Sequence, residues 1–174
     1  MPAATSSQTI GPYWHLIEHG EWSDLTRFGA EGEIIRLGGH IVDGDDYAVT
    51  DAAVEVWQAD PPASAAFPGF GRCRTDQEGR FTFTTLKPGP VAAGGESNAL
   101  QAPHLALAIF ARGLVKHLVT RVYFAGEALN AQDPVLLAVP EARRHTLIAH
   151  PAHAGTWQLD IRLQGGDETV FLEV

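Results

Sequence analysis

Arg80-Phe81-Thr82-Phe83-Thr84 alternates aromatic with polar residues and directly follows Asp76-Gln77-Glu78-Gly79. A period of two places successive side chains on opposite faces of a β-strand, so the aromatic rings indicate a strand that is buried on one face. The four preceding residues indicate a tight hairpin turn, because Gly79 adopts a positive φ at little steric cost. This part of the sequence therefore predicts an antiparallel β-structure.

Similar patterns recur along the chain. The 18 glycines and 11 prolines punctuate it at the spacing of turns between short strands. Six further segments are rich in β-branched or aromatic residues and are predicted as strands. They are Ile34 to Asp43, Ala53 to Gln58, Leu105 to Ala111, His117 to Phe124, Trp157 to Gln164 and Thr169 to Glu173. About seven or eight strands favour an antiparallel β-sandwich over a parallel α/β sheet, which needs helices between its strands.

Helical signals are confined to the last third of the chain. The sequence predicts one short helix over Pro140 to Ala149, since proline suits the first turn and apolar residues follow at inward-facing positions. Pro134 to Val139 is predicted to add a further turn. We expect a single domain over residues 1–174, in which residues 1–13 form an extended N-terminal arm.

Two long connections are rich in Ala, Gly and Pro: Pro61 to Phe70 and Pro88 to Pro103. Connections of this length in a compact domain are typical of functional loops or of interfaces. We therefore expect both to lie at a functional site or at a contact with a partner.

Charge and apolar patterning exclude two classes of partner. The net charge is −9 and the few basic residues are scattered, which argues against a nucleic-acid groove. The longest apolar stretch, Leu105 to Leu118, is broken by Arg112 and Lys116 and is shorter than the roughly 20 residues that span a bilayer. Cys73 is the only cysteine, and no signal peptide is evident, so we expect a cytoplasmic protein without an internal disulfide.

The chain contains eight histidines, so a metal site has to be considered. His150 and His153 have chelating spacing, but no second pair of Cys or His accompanies them, and surface histidines are the simpler explanation. His104 and His117 stand beside apolar strands, where a hydrogen-bonded histidine is more common than a ligand. The residues alone therefore indicate a binding or scaffolding β-domain.

Several motifs taken together resemble the intradiol ring-cleaving dioxygenases. The resemblance covers nearly the whole chain. The motifs are Ser7-Gln-Thr-Ile-Gly-Pro-Tyr13, Val54-Glu-Val-Trp-Gln-Ala-Asp60, Gly71-Arg-Cys-Arg-Thr-Asp-Gln-Glu-Gly-Arg-Phe-Thr-Phe83, Leu86-Lys-Pro-Gly-Pro90, Phe110-Ala-Arg-Gly113, Val122-Tyr-Phe-Ala-Gly126 and Gln164-Gly-Gly-Asp-Glu-Thr-Val-Phe171.

Catalytic members of that family hold Fe(III) with two tyrosinates and two histidines, because hard anionic oxygens stabilise ferric iron. This chain lacks three of these four ligands. Where catalytic members have a tyrosine after Lys-Pro-Gly, it has Pro90-Val91; where they have Arg-Pro-x-His-x-His, it keeps His104 but has Ala106. The stretch Asp60 to Gly69, which corresponds to the second tyrosine, contains none. The resemblance thus predicts no metal ligand set and no catalytic residue in this chain, with His104 as a relic or a neutral hydrogen-bonding residue.

The resemblance also implies a partner. Heteromeric members contain α and β chains of the same fold, of which the β chain carries Fe(III) and the α chain completes the substrate pocket. By this resemblance the chain is expected to act as the α subunit, with protocatechuate and O₂ as substrates and with no catalytic role of its own. The residues that the resemblance assigns to substrate binding are Thr9, Gly11, Pro12, Tyr13 and Arg112. Taken alone, Arg112 follows an apolar strand and must be paired or face an anion.

Two alternatives remain open at this point. The chain is an intradiol-like β-sandwich that binds a ligand or partner without any enzymatic role, or it is a self-sufficient oxygenase. The second alternative requires a ligand set built from His104 with Tyr13, Tyr47 or Tyr123.

Overall fold

The computed structural model describes residues 19–94 and 99–173. Within these ranges the strands are short and alternate in burial. They are β1 (Ile34–Val42), β2 (Ala53–Trp57), β3 (Phe70–Arg74), β4 (Arg80–Leu86), β5 (Val91–Ala92), β6 (Leu100–Gln101), β7 (His104–Phe110), β8 (Leu118–Phe124), β9 (Ile148–His153), β10 (Thr156–Gln158) and β11 (Ile161–Arg162). One α-helix, α1 (Pro134–Ala138), and the 3₁₀ segments Gly20–Ser23, Ala128–Ala131 and Glu141–Leu147 complete the described elements.

The strands form two layers that meet at β9. One layer has the order β3-β2-β7-β8, and the other contains β4, β1, β10 and β9, with β11 parallel to β1. Parallel pairing of Tyr123 with Ile148 joins β8 to β9 and so links the layers. The predicted all-β, antiparallel sandwich is therefore confirmed, although the sequence missed β3, β9 and the two short strands β5 and β6.

The core lies between the layers and follows the alternation in the sequence. Phe81 and Phe83 of β4 are 2% and 0% exposed, as the pattern predicted. Leu105, Leu107 and Ile109 of β7 face them from the other layer and are also buried. Each fully buried side chain of this size contributes about 1.5–3 kcal/mol, so this double row stabilises the sandwich and fixes which face of each strand points outward.

The turn before β4 has the predicted form. The Asp76 side chain accepts hydrogen bonds from the backbone N–H groups of Glu78 and Arg80, and Gly79 has a φ of 74°. These hydrogen bonds, that from Arg80 first, lower the pKa of Asp76. The prediction of a hairpin is nevertheless wrong, because β3 pairs with β2 and β4 pairs with β1, in opposite layers.

Three further predictions at the C-terminal end are corrected. The helix over Pro140 to Ala149 is a 3₁₀ segment that ends at Leu147, because Ile148 and Ala149 pair with β8 as the start of β9. Trp157 to Gln164 contains two strands, β10 and β11, not one. Thr169 to Glu173 forms only an isolated bridge, between Val119 and Leu172.

The predicted turn over Pro134 to Val139 is confirmed as α1. Proline occupies its first turn, and Asp133 caps it by accepting from the N–H groups of Val135 and Leu136. None of the helices in residues 19–94 and 99–173 is long and apolar enough to cross a membrane.

Candidate functional site

The outer face of the β3-β2-β7-β8 layer carries a row of four side chains. Phe70 pairs with Trp57, Trp57 with Ala106, and Ala106 with Arg121. Directly paired residues share a face of the sheet, so the small Ala106 lies between an aromatic and a cationic side chain. The Trp57 ring contacts that of Phe70, with centroids 4.4 Å apart, and remains 53% exposed.

His104 lies beside this row. Its Nδ1 is 2.7 Å from the carbonyl oxygen of Ala102, which can only accept, so the proton is on Nδ1. Burial lowers the pKa of His104, with a smaller contribution from the nearby Arg121 charge. The ring is therefore neutral near pH 7, and its Nε2 is an acceptor without a hydrogen-bond partner in the described part of the chain. The hydrogen bond to Ala102 and the lowered pKa agree with the expectation that His104 is a relic or a neutral hydrogen-bonding residue.

Asp133 organises the polar groups behind His104. It is fully buried, and its Oδ1 accepts from the Tyr123 hydroxyl at 3.0 Å while its Oδ2 accepts from the N–H of Ala102 at 2.8 Å. Burial raises the pKa of Tyr123, which keeps this side chain a neutral phenol. The Tyr123 hydroxyl is thus buried and engaged by Asp133, and Tyr47 is 71% exposed in the connection from β1 to β2, so the structure does not bring either tyrosine to His104 as a ligand pair.

Arg121 extends toward the same network. Its Nη1 donates to Gln101 Oε1 at 2.6 Å and to the Tyr123 hydroxyl at 3.3 Å. No carboxylate lies within ion-pair distance of Arg121 among residues 19–94 and 99–173. The guanidinium therefore retains N–H groups that no described residue engages.

The two long connections are joined to each other near this face. Asp60 Oδ2 accepts from the N–H of Gly89 at 2.7 Å, and Gln58 Nε2 donates to the carbonyl groups of Asp60 and Leu86. A Cβ at Gly89 would lie 2.6 Å from Asp60 Oδ2, so only glycine permits this approach. The loops that carry tyrosine ligands in catalytic intradiol dioxygenases are thus held in place here without those tyrosines.

These residues do not fit ferric iron. Ala106 offers a methyl group and Val91 an isopropyl group at two positions that carry ligands in catalytic members, and the 61–69 connection supplies no tyrosine. His104 alone cannot hold a mononuclear ion. Among the described residues, no three His, Cys, Asp or Glu side chains come together as a metal site.

His150 and His153 do not form a chelate. His150 lines an open groove of about 710 Å³ between β9, β10 and the 3₁₀ segment Glu141–Leu147 on the other layer, and His153 does not. The groove includes His40 and Asp160, but no metal-binding group is formed there in the described ranges. Both histidines are exposed on β9, which agrees with the interpretation of His150 and His153 as surface histidines, and a strand places residues three apart on opposite faces.

Arg112 lies in the loop from β7 to β8, just beyond the strand that was predicted to include Ala111. Its Nε forms an ion pair with Asp51, and its side chain is 86% exposed. Pairing with Asp51 satisfies the sequence-based requirement that this arginine be paired. The other predicted substrate-binding residues, Thr9, Gly11, Pro12 and Tyr13, lie outside the described residues.

Sequence reasoning missed Asp51, Gln58, Asp60, Arg121 and Asp133. A local signal existed for Asp133 only, since Asp directly before Pro is a common start of a helix. The other four act through partners that are distant in sequence or that only strand pairing brings close.

A family model described as dioxygenase matches residues 16–165. The chain belongs to this family, the intradiol dioxygenases. It is 40% identical to the protocatechuate 3,4-dioxygenase alpha chain of Burkholderia cepacia, over 98% of this chain and 97% of that one. It is also 37% identical to the beta chain of the same enzyme from Burkholderia cepacia, over 94% of this chain and 77% of that one.

A solved structure supports the fold independently. The dioxygenase domain of a dioxygenase and carbohydrate-binding fusion protein from Streptomyces sp. SirexAA-E aligns with a TM-score of 0.63 at 24% identity. The alignment covers 91% of this chain and 97% of that domain. At this identity the likeness establishes the fold alone.

Proposed function

We propose that this chain is the α subunit of a protocatechuate 3,4-dioxygenase, that the β subunit holds the Fe(III), and that this chain completes the substrate pocket. The enzyme cleaves the bond between the two hydroxyl-bearing carbons of protocatechuate and inserts both atoms of O₂, which yields 3-carboxy-cis,cis-muconate. No atom of this chain takes part in the bond-making step in this proposal.

One observation carries the proposal. The chain matches an alpha chain over nearly its full length, while three of the four positions that hold ligands in catalytic members lack a ligating side chain. If such a chain belongs to a working dioxygenase, a second chain has to supply the metal. The similarity to a protocatechuate 3,4-dioxygenase beta chain supports a β chain as that partner.

The position of Arg112 supports a pocket shared between two chains. His104 and Phe110 are the two ends of β7. At about 3.3 Å per residue these ends lie about 20 Å apart, and Arg112 lies beyond the far end from His104. An exposed arginine there is remote from His104, the one ligand position that this chain keeps. A substrate carboxylate that Arg112 binds would therefore belong to a pocket of the partner.

Iron content tests the division of roles. We expect the purified chain to bind no stoichiometric iron and to lack the visible absorption of tyrosinate bound to Fe(III), because the ligand positions are occupied by Val91 and Ala106. The measurement is metal analysis with a visible spectrum, before and after incubation with ferrous iron in air. Tightly bound iron at one equivalent with that colour contradicts the proposal.

Deletion of residues 1–13 tests the predicted arm. We expect the truncated chain, in complex with the β subunit, to lose most of the activity toward protocatechuate while the iron content stays unchanged. Thr9, Gly11, Pro12 and Tyr13 would form part of the pocket wall, and their removal leaves the metal untouched. Activity equal to that of the full complex removes the arm from the site.

Co-expression separates this function from the non-enzymatic alternative. An iron-containing second chain that co-purifies at a fixed ratio supports the α-subunit role. A stable, colourless homomer that forms no complex with a β subunit supports an intradiol-like sandwich that binds only a ligand.

A further inference from the structure

Asp51 and Arg112 lie opposite each other at one end of the β2–β7 pair. Ala53 of β2 and Phe110 of β7 are the last paired residues at that end of the ladder. Two residues beyond this pair on each side, the antiparallel register places Asp51 opposite Arg112 and on the same face of the sheet. The two side chains form an ion pair through Arg112 Nε. Strand register therefore brings this carboxylate to this arginine.

The backbone beside Asp51 is fixed by the neighbouring strand. The next residue, Ala52, is fully buried. Its N–H donates to Thr75 Oγ1 at 3.0 Å, and its carbonyl accepts from the N–H of Thr75 at 2.9 Å. The Asp51 side chain is only 27% exposed and has two torsions, so its carboxylate has few orientations available.

The side chain of Arg112, in contrast, is exposed to solvent. Its backbone lies in a turn, in which the N–H of Leu114 donates to the carbonyl of Ala111 at 3.3 Å and Gly113 has a φ of 85°. The Arg112 side chain is 86% exposed, and Asp51 is its one charged partner in the part of the chain that the structure describes. An exposed arginine without such a partner samples many rotamers. The ion pair therefore restricts where the guanidinium points.

We propose that Asp51 is a positioning residue for substrate binding, which engages Arg112 Nε and thereby orients the two terminal nitrogens of the guanidinium toward the substrate carboxylate. This inference rests on the proposed function, in which Arg112 contributes to a pocket shared with the β subunit. A guanidinium engaged at Nε still presents both terminal nitrogens, and their N–H groups match a carboxylate in a bidentate pair. Because the orientation is set before the substrate arrives, less conformational entropy is lost on binding.

Two other roles of the ion pair lead to different expectations. An exposed ion pair contributes little to stability, so a purely structural role predicts no effect on substrate preference. A competing role, in which Asp51 repels the substrate carboxylate, predicts tighter binding once Asp51 is removed. The positioning role predicts weaker binding. The contact to Nε, which leaves the terminal nitrogens to the substrate, favours positioning over competition.

Substrate kinetics of the assembled complex test the sign of the effect. Asp51→Ala is expected to raise the KM for protocatechuate by about three- to tenfold with little change in kcat, since a flexible side chain must then be ordered on binding. Catechol, which lacks the carboxylate, should keep its KM. Asp51→Glu retains a carboxylate for the same nitrogen, so its KM for protocatechuate should stay within about twofold of the native value. Glu78→Ala removes the carboxylate of the exposed pair with Arg80 and should leave both substrates unchanged.

A double-mutant cycle and a spectrum test whether Asp51 acts through Arg112. With Arg112→Ala already present, Asp51→Ala should have no further effect on the KM, because no guanidinium is left to orient. Nitrogen NMR of the isotope-labelled full chain reports the motion directly. The Nε–H resonance of Arg112, identified by its loss in Arg112→Ala, should show restricted motion, and Asp51→Ala should make this group mobile on the ps–ns timescale.

The outcomes separate this inference from the proposed function. If Arg112→Ala does not change the preference for protocatechuate over catechol, the substrate-binding role of Arg112 fails, and this inference fails with it. If Arg112→Ala has its expected effect, the positioning role alone is overturned by an unchanged or lower KM in Asp51→Ala, by an equal rise for catechol, or by a further rise in the Arg112→Ala background. An Nε–H group that is equally mobile with and without Asp51 overturns it as well. If Asp51→Ala does not assemble, Asp51→Ser, which also lacks a carboxylate, replaces it in each measurement.

Discussion

Arg112→Ala is expected to lower kcat/KM for protocatechuate by about ten- to a hundredfold in the assembled complex. A charge-assisted hydrogen bond to a carboxylate contributes about 1.5–3 kcal/mol, and kcat/KM reports its loss directly. Arg112 is 86% exposed and its Nε is engaged by Asp51, while its terminal nitrogens have no partner among the described residues and can bind an anion in the pocket that we propose for the partner. The measurement is steady-state kinetics at constant ionic strength and unchanged iron content.

Catechol provides the matched control for Arg112, because it has the same two hydroxyl groups and no carboxylate. Its turnover should change far less than that of protocatechuate. Arg80→Ala, a similar substitution of an exposed arginine in a different part of the surface, should leave both substrates unaffected. Equal losses for the two substrates with Arg112→Ala assign that residue to the interface or the fold and remove it from the binding residues.

Asp133→Ala is expected to reduce the free energy of unfolding by about 3–5 kcal/mol. The carboxylate is fully buried and accepts from the Tyr123 hydroxyl and from the N–H groups of Ala102, Val135 and Leu136. Its removal eliminates the N-cap of α1, worth about 1 kcal/mol, and leaves buried donors unsatisfied at about 1–3 kcal/mol each. Urea denaturation of the chain measures this loss, which lowers the urea concentration at the midpoint of unfolding.

Asp45→Ala is the control for Asp133, since Asp45 is exposed in the turn after β1 and should change stability by no more than about 0.5 kcal/mol. Asp133→Asn refines the result, because an amide accepts through one oxygen only and its NH₂ group cannot accept from Ala102. The free energy of unfolding of Asp133→Asn should lie between those of the native chain and Asp133→Ala. A native midpoint for Asp133→Ala would contradict the role of this network.

The sequence predicted those strands whose pattern is local. The alternation in Arg80 to Thr84 predicted β4, and that in Leu105 to Ala111 predicted β7. In both strands the residues predicted to be buried are buried. In each case consecutive residues alternate with a period of two, and burial on one face follows directly from this alternation. The motifs identified the family in the same way, because whole stretches of residue types matched at once.

Segments that depend on distant partners were predicted less well. Ile148 and Ala149 continue an apolar pattern that suits a helix, but their pairing with Tyr123 and Phe124 makes them a strand. The turn at Asp76 to Gly79 was recognised, while the strands on either side proved to belong to different layers. Hydrogen bonds between strands are made with whichever strand the fold brings alongside, and a local pattern does not specify that neighbour.

The sequence by itself determined that this chain is an all-β member of the intradiol dioxygenases and that it lacks three of four iron-ligand side chains, since both follow from residue identity at given positions. Only the tertiary structure decided which polar contacts surround these positions and the rest of the candidate site. The proximity of Arg121 to Gln101, of Asp133 to Tyr123 and of Asp51 to Arg112 arises from strand register and loop packing. Such contacts join residues far apart in sequence, and the free energy that selects them is that of the whole packed sandwich.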